Sequence, residues 1–254
     1  MTGPNDAPYT AHRLTEADDA LLRRFVEHEA VVPVLSRGDL QRRLAPDRRL
    51  FAVLDDTGDA MGFVHVALTA RFPASLDEVL SGPVCLGPPA HGTFYGITRT
   101  SDRVRGRAGD LLKAVAAALH AEHPGLRLAT LSPLPGFRAW LEAALTARGH
   151  ADASAAVEHL ARRAAIETPP CEADLPLGTL ARAYQAARDG RGRILDPVAR
   201  FHLGNGADAH RILLGADCSW HGLSQSFGVM ASYRYFPATH EARPAVDAAA
   251  ALEQ

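Results

Sequence analysis

Lysine and cysteine are scarce in this chain of 254 residues. Lys113 is the single lysine, and the three cysteines, Cys85, Cys171 and Cys218, are odd in number and far apart. No Cys-x-x-Cys pair is present, and the 12 histidines are scattered, with no His-x-x-x-His spacing beside a carboxylate. These absences argue against a disulfide framework and a zinc cluster, so no metal is expected.

The chain also lacks segments that direct a protein to or across a membrane. Residues 1–8 contain no apolar stretch behind a basic start, and no apolar run approaches the roughly 20 residues of a membrane span. The net charge of -2 does not suggest nucleic-acid binding by bulk charge. We therefore expect a soluble, cytoplasmic protein with neither a membrane nor a nucleic-acid partner. Because Arg almost wholly replaces Lys and Ala is abundant, the composition is typical of a GC-rich bacterial genome.

The chain is rich in apolar residues, which make up 47% of it and follow periodic patterns. Periodicity, caps and turns predict helices over 15–28, 36–44, 73–80, 110–120, 137–148 and 175–187. Strands are predicted over 50–54, 62–68, 93–98, 126–131, 211–215 and 229–236. This order favours an α/β (α+β) fold with helices flanking one mixed sheet. We expect a single domain over 13–237, between a flexible tail at 1–12 and a flexible Ala-rich tail at 238–254.

The segment 196–207 is the most informative stretch. Pro197 is expected to stop one element, and Asn205-Gly206 is a strong turn signal. His202 stands between them with an apolar neighbour on each side. A histidine held this way can act as an acid or base near neutral pH, although a structural or solvated histidine is the commoner case.

An arginine- and glycine-rich segment, residues 103–109, follows a predicted strand and opens a predicted helix. Glycine lets backbone N–H groups approach a ligand, and a helix N-terminus favours phosphate. The segment is a candidate pyrophosphate cradle, and its Arg-x-x-Gly-x-Ala pattern resembles the acyl-CoA loop of GNAT acyltransferases. A solvated turn is the alternative. The candidate binding residues are Arg103, Arg105, Gly106, Arg107, Ala108 and Gly109.

Ser132 follows a predicted strand and precedes Pro133, which breaks the ladder of hydrogen bonds. A hydroxyl at such a strand end can point into a cleft, whereas a simple Ser-Pro turn is the commoner case. The Gly-x-Ser-x-Gly pattern of serine nucleophiles is absent here, so an acyl-serine intermediate is not favoured.

The last predicted strand contains Tyr233 and Tyr235, which share one face by the period of two, with Arg234 on the other. A tyrosine hydroxyl there could orient His202 or a substrate carboxylate. Two packed strand aromatics are the alternative interpretation.

Together these segments resemble the catalytic domain of malonyl-CoA decarboxylases. The resemblance covers about residues 30–236 and is most specific over 195–235. The segments that carry it are 48–51, 64–68, 94–97, 131–137 with Trp140, 195–207, 216–217, 222–223 and 228–235. It implies a GNAT-like fold in which an acyl-CoA lies in a V-shaped opening between splayed strands.

By this resemblance, Ser132 and His202 match the catalytic pair of the family, and Tyr235 matches a tyrosine that lines the pocket. The segment 103–109 stands where the CoA phosphates would bind. The other residues expected around the substrate are Phe94, Tyr95, Pro133, Asn205 and Tyr233.

The chain departs from the family pattern in three ways. Gly96 stands where members often have Ser, and the phosphate loop is shorter and richer in Arg. About thirty residues precede the match, so we expect the helical N-terminal domain of the family to be lacking, and the oligomeric state stays open. A compact domain could serve fatty acid metabolism or a biosynthetic pathway such as polyketide synthesis, with an acyl carrier protein presenting the substrate on phosphopantetheine.

The resemblance implies a carboxy-lyase that converts a malonyl or methylmalonyl thioester to the acetyl or propionyl thioester and CO2 through a stabilised enolate. The thioester is itself an electron sink, so we expect neither metal nor biotin, and no cofactor beyond the CoA or phosphopantetheine of the substrate. Two alternatives stay open. One is a GNAT acyltransferase, alone or combined with decarboxylation, and the other is a non-enzymatic module that senses acyl-CoA or docks a carrier protein.

Overall fold

A computed structural model describes residues 9–29, 32–84, 87–101, 108–149, 155, 157–159, 162 and 176–235. Contacts between residues divide the chain into two compact units. Unit 1 comprises residues 1–73 and 78–129, and unit 2 comprises residues 74–77 and 130–254. The sequence predicted one domain over 13–237, and the main boundary between the units lies inside it, after Ala129.

Unit 1 is built on consecutive β-strands. They are β1 (Thr10–Arg13), β2 (Arg48–Leu54), β3 (Ala60–Thr69), β4 (His91–Arg99) and β5 (Arg127–Thr130), whose last residue belongs to unit 2. β1 pairs with β2, β2 with β3 and β3 with β4, each antiparallel. β3 has a strand on each side and is buried along almost its whole length, so it forms the centre of this sheet.

Strand β1 begins inside the segment that was expected to be a tail, residues 1–12. Thr10 pairs with Leu54, and Arg13 pairs with Phe51. The four residues of β1 are mostly exposed and polar, so hydrophobic periodicity carries no signal for them. Residues 1–8 and 236–254, which contain the rest of the two expected tails, lie outside the described residues.

The helices of unit 1 lie close to the ranges that the sequence predicts. α1 (Asp19–His28) and α2 (Arg37–Arg43) lie within the predicted ranges, and Ser36 Oγ caps α2 by accepting the Asp39 N–H at 3.1 Å. α3 (Leu76–Leu80) carries residues of both units, and α4 (Ala108–Glu122) begins two residues before the predicted start. Phe25 of α1 packs edge-on against Phe63 of β3, with ring centroids 5.5 Å apart, and so holds the helix on the sheet.

Unit 2 alternates short strands and helices around its last strand. The elements after β5 are β6 (Ser132–Pro133), α5 (Phe137–Ala147), α6 (Pro176–Ala186), α7 (Pro197–Gly204), β7 (Asp208–Leu213), α8 (Trp220–Ser226) and β8 (Met230–Tyr235). β8 pairs antiparallel with β7, from Met230 to Arg234, and with β6, at Met230 and Ala231. Across the described ranges, no helix combines the length and apolarity that a membrane crossing requires.

Two helices of unit 2 differ from the interpretation of the sequence. Pro197 was expected to stop an element, but it starts α7, because a proline needs no N–H partner in the first turn of a helix. α8 was not predicted. It is seven residues long and contains Gly222, so it offers little periodicity, and its start depends on Ser219 Oγ, which accepts the Gly222 N–H at 3.1 Å.

Gly62 in β3 has no room for a side chain. A Cβ there would lie 2.7 Å from the Thr98 carbonyl oxygen and 2.8 Å from a Leu111 methyl group. We expect Gly62→Ala to lower the free energy of unfolding by about 1–3 kcal/mol, measured by denaturant titration. Gly38→Ala is the control. The nearest neighbour of its Cβ would be Ser36 Oγ at 3.6 Å, and Ala favours the helix by about 0.5–1 kcal/mol. Equal stability of the two variants would contradict the steric explanation.

Candidate active site

Three side chains of unit 2 form a hydroxyl–imidazole–hydroxyl array. His202 Nε2 lies 3.1 Å from Ser132 Oγ, and His202 Nδ1 lies 2.8 Å from Tyr235 Oη. Ser132 comes from β6, His202 from α7 and Tyr235 from β8. His202 is 3% exposed and Ser132 is 5% exposed, so water has little access to the array. The structure thus brings together the three residues that the sequence predicted as catalytic.

Aromatic rings fix the plane of the His202 imidazole. Tyr233 stacks on it with ring centroids 4.6 Å apart and planes 23° from parallel. The rings of Tyr235 and Phe201 contact it at steep angles, with centroids 5.9 Å and 4.9 Å away. The period of two in β8 explains why both tyrosines reach the same imidazole.

Asp196 anchors the helix that carries His202. Its carboxylate accepts the N–H groups of Val198 at 3.0 Å and Ala199 at 3.1 Å, which makes it the N-cap of α7. The helix ends at Gly204, and Asn205 closes it with a backbone N–H that bonds to Phe201 and His202 carbonyls. The turn predicted at Asn205-Gly206 is therefore present, and caps at both ends of α7 hold the imidazole in place.

Burial sets the charge of the array. It lowers the pKa of His202 to about 3, because desolvation disfavours the imidazolium ion. His202 is therefore neutral at pH 7, with one nitrogen donating and the other accepting a hydrogen bond. Burial also raises the pKa of Tyr235, so its hydroxyl stays protonated. The array consists of neutral groups that exchange hydrogen bonds.

Asp196, a neighbour of Tyr233, is a carboxyl group with a pKa close to neutral. Burial raises the pKa of Asp196 to about 6, although its hydrogen bonds from Val198 and Ala199 act in the opposite direction. Burial and this neighbouring carboxylate both raise the pKa of Tyr233. The sequence analysis gave Asp196 no role, although Asp followed by Pro is a typical start of a helix.

The residues predicted around the substrate fall into both units. Pro133 and Asn205 are partly buried in unit 2, and Asn205 Nδ2 donates to the Phe201 carbonyl oxygen at 2.7 Å. Phe94 and Tyr95 belong to β4 of unit 1, where both side chains are buried. Their contact with a substrate stays a prediction.

The candidate phosphate segment is described only at its end. Arg103, Arg105, Gly106 and Arg107 lie outside the described residues. Ala108 and Gly109 form the first turn of α4 in unit 1, at a helix N-terminus as predicted. In the part of the chain that the structure describes, no group of three or more His, Cys, Asp or Glu side chains is placed to hold a metal ion.

Unit 1 contains a buried histidine–glutamate pair that the sequence analysis did not foresee. His65 Nε2 lies 2.9 Å from Glu29 Oε2, which also accepts the Thr98 hydroxyl at 2.7 Å. Burial lowers the pKa of His65. Burial alone would raise the pKa of Glu29, but the hydrogen bond from His65 helps to lower it to about 2. A Cβ on Gly96 would lie 3.1 Å from the His65 ring, so a glycine at this position makes room for the ring.

Comparison with known proteins decides the family. The sequence model of the malonyl-CoA decarboxylase C-terminal domain matches residues 12–247. The chain belongs to the malonyl-CoA decarboxylase family. It is 31% identical over 254 residues to the mitochondrial malonyl-CoA decarboxylase of Rattus norvegicus, an alignment that covers 85% of this chain and 51% of the rat protein. The chain therefore spans about half the length of the curated relatives it matches.

Solved structures agree with this family. The crystal structure of malonyl-CoA decarboxylase from Rhodopseudomonas palustris is 32% identical with a TM-score of 0.72, and the match covers 98% of this chain and 63% of that chain. The GphF GNAT-like decarboxylase in complex with isobutyryl-CoA is 18% identical with a TM-score of 0.52, covering 89% of this chain and 97% of that one. At that identity the second likeness shows the fold alone, and it confirms the predicted GNAT-like α+β class.

Replacing Asp196 by Asn is expected to change how stability depends on pH. The carboxyl has a pKa of about 6 in the folded state, against roughly 3.9 in an unfolded chain. Between these values the folded state binds more protons, so the contribution of Asp196 to the free energy of unfolding decreases as the pH rises from about 4 to 6. Asn still caps the helix but does not titrate. We therefore expect the free energy of unfolding of Asp196→Asn to rise relative to that of the wild type by about 2–3 kcal/mol between pH 4 and pH 6, as measured by denaturant titration. A difference independent of pH would contradict the raised pKa.

Proposed function

We propose that the chain is a carboxy-lyase that converts malonyl-CoA to acetyl-CoA and CO2. The observation that carries the proposal is the meeting of Ser132 and His202, 3.1 Å apart and buried, in a chain of the malonyl-CoA decarboxylase family. The relatives from Rattus norvegicus and Rhodopseudomonas palustris are both named malonyl-CoA decarboxylases.

The reaction requires a site that holds one conformation and stabilises one oxygen. Loss of CO2 from a malonyl thioester leaves its electron pair as an enolate on the thioester oxygen. The C–C bond to the carboxylate breaks fastest when it stands perpendicular to the thioester plane. A buried site favours this step, because it removes water from the carboxylate and strengthens hydrogen bonds to the developing oxyanion.

The hydroxyl and imidazole groups of the array can supply those hydrogen bonds. Ser132 and a neutral His202 each carry one proton that can be donated to the carboxylate or the enolate oxygen. Burial holds the pKa of His202 at about 3, so the imidazole enters the reaction as a neutral donor. The α-carbon of the enolate then takes one proton, from His202 or from a water that His202 holds, to give the acetyl thioester. A proton from solvent then restores the donor to its neutral form.

The CoA end of the substrate needs a site for its phosphates. Segment 103–109 combines arginines and glycines, and its last two residues form the first turn of α4. A helix N-terminus with free N–H groups favours phosphate, which supports this segment as the anchor. No step in this scheme calls on a metal or on biotin, because the thioester itself accepts the electron pair.

The setting of the reaction is inferred from the sequence. The composition favours a bacterial, cytoplasmic enzyme, and the match to the family domain extends over residues 12–247. We infer that the substrate is presented either as free CoA thioester or on the phosphopantetheine of an acyl carrier protein, the latter in a biosynthetic pathway such as polyketide synthesis.

His202→Ala tests the central assignment. We expect CO2 release from malonyl-CoA to slow by roughly 10²–10⁴-fold, about 3–5 kcal/mol of barrier, because the variant loses both a hydrogen-bond donor and a route for the proton. Ser132→Ala should reduce kcat more than it weakens binding. The measurement is steady-state release of CO2 and acetyl-CoA.

His221→Ala is the matched control for the histidine variant. His221 is exposed on α8, so its loss should leave turnover at the wild-type rate. Tyr235→Phe keeps the ring and removes the hydroxyl that holds His202 Nδ1, and a loss of about tenfold is expected from one hydrogen bond. Full CO2 release by His202→Ala would show that the assignment is wrong.

Mass spectrometry of thioesters identifies the substrate. The protein is incubated with malonyl-CoA, methylmalonyl-CoA and the same acyl groups on a carrier protein, with and without amine and thiol acceptors. We expect malonyl-CoA to become acetyl-CoA, with one deuterium incorporated when the solvent is D2O. Turnover of carrier-bound thioester would identify phosphopantetheine as the carrier. An acylated acceptor would instead indicate an acyltransferase, and binding without turnover a sensing or docking module.

A further inference from the structure

Ser132 has a second hydrogen-bond partner, Thr130. The hydroxyl of Ser132 donates to Thr130 Oγ1 at 2.9 Å, while Ser132 Oγ also lies 3.1 Å from His202 Nε2. Thr130 is the last residue of β5 and is 1% exposed. Its hydroxyl therefore belongs to the same buried array and is linked to the imidazole through Ser132.

A backbone group holds the Thr130 hydroxyl in one place. Tyr233 N–H donates to Thr130 Oγ1 at 3.0 Å. β5 ends at Thr130 and β6 begins at Ser132, so the strand is interrupted at Leu131. The threonine side chain thus accepts a backbone N–H of β8 close to this interruption. Because a backbone donor in a strand cannot turn away, the position of Thr130 Oγ1 is fixed.

The direction of the Ser132–Thr130 hydrogen bond, from the serine hydroxyl to Thr130 Oγ1, then sets the protons of the array. A hydroxyl oxygen has one proton to donate and two positions at which it accepts. Tyr233 N–H, which can only donate, fills one acceptor position of Thr130, and the proton of Ser132 fills the other. Ser132 then presents its oxygen to His202 as an acceptor, so the ring proton lies on Nε2 and Nδ1 accepts the Tyr235 hydroxyl proton.

We propose that Thr130 is a positioning residue that orients the Ser132 hydroxyl and, through it, selects the His202 tautomer protonated on Nε2. The inference rests on the proposed decarboxylation, which gives this orientation its purpose. In this arrangement the ring N–H donates to Ser132 Oγ and the serine hydroxyl donates to Thr130, and both protons can pass to one substrate oxygen that takes the place of those acceptors. When the Ser132 proton turns to that oxygen, Thr130 can donate its own proton to Ser132 Oγ, and such a chain of hydrogen bonds polarises the serine.

NMR tests the tautomer without reference to any substrate. The protein is labelled with ¹⁵N-histidine, and the His202 signals are assigned by their loss in His202→Gln. At pH 7 we expect a protonated Nε2 and an unprotonated Nδ1 in the wild type. Thr130→Ser keeps this pattern, whereas Thr130→Val shifts the population towards the Nδ1-protonated tautomer. A wild-type His202 protonated on Nδ1 would overturn the inference.

Kinetics separate positioning from a structural role. Thr130→Val should lower kcat by about tenfold, as one lost hydrogen bond predicts, with KM changed less than about threefold. Thr130→Ser should restore the wild-type kcat. In the Ser132→Ala background, Thr130→Val should cause no further loss, because Thr130 acts through Ser132. A loss in that background equal to the loss in the wild type would overturn the inference.

Thr93→Val is the matched control. Thr93 is fully buried on β4, and its hydroxyl has no hydrogen-bond partner among the residues that the structure describes. The same substitution there should leave kcat and the His202 signals unchanged. Thr130→Val also leaves the Tyr233 N–H without its acceptor, so circular dichroism and thermal unfolding accompany each variant. If Thr130→Val does not fold, the wild-type tautomer and the kcat of Thr130→Ser decide the question.

The outcomes distinguish the inference from the function. If the wild-type protein has its His202 proton on Nε2 but turns over no malonyl thioester, the proposed function is wrong and the assigned hydrogen-bond directions remain valid. A wild type that releases CO2 with its proton on Nδ1 would overturn the role of Thr130 and leave the function standing.

Discussion

Both ring nitrogens of His202 are held by hydroxyl groups, and the burial of this imidazole in unit 2 depends on them. A buried imidazole with an unpaired nitrogen would forfeit the hydrogen bond that it makes with water. Ser132 and Tyr235 supply the partners from β6 and β8, two strands that pair directly. The pairing lets the ring be buried and neutral at once, which is the state in which it can donate to an oxyanion.

At Asp196, burial and helix capping have opposite effects on the charged carboxylate. As the N-cap of α7 this carboxylate stabilises the helix, yet burial disfavours its charged form and raises its pKa to about 6. A solvated cap would serve the helix equally well. The structure instead buries this carboxylate beside Tyr233, the tyrosine that stacks on His202, so we expect the stability at neutral pH to be lower than a non-titrating cap would allow.

The sequence could predict the parts of this arrangement that depend on local patterns. The helix predicted over 36–44, the strands predicted over 50–54 and 62–68 and the alternation of tyrosines in β8 are local, and the structure contains them. Ser132 and His202 were predicted through resemblance to a family, because nothing in their own spacing brings them together. Thr130 escaped prediction because its partner Tyr233 is 103 positions away. The prediction for Pro197 was wrong because a proline can either end one element or begin the next. Only the capping contact of Asp196 shows that Pro197 begins a helix.

The irregularity in the pairing of β7 with β8 bears on how this chain tolerates change. Ala209 faces Tyr233 and Arg211 faces Ser232, so an additional residue lies on β7 between these two pairs. β8 keeps its even alternation, and both tyrosines stay directed at one imidazole. The extra residue lies on β7, a strand that contributes no side chain to the array. We therefore expect β7 and the loops beside it to tolerate a change in length, while Tyr233 and Tyr235 keep their contacts with His202.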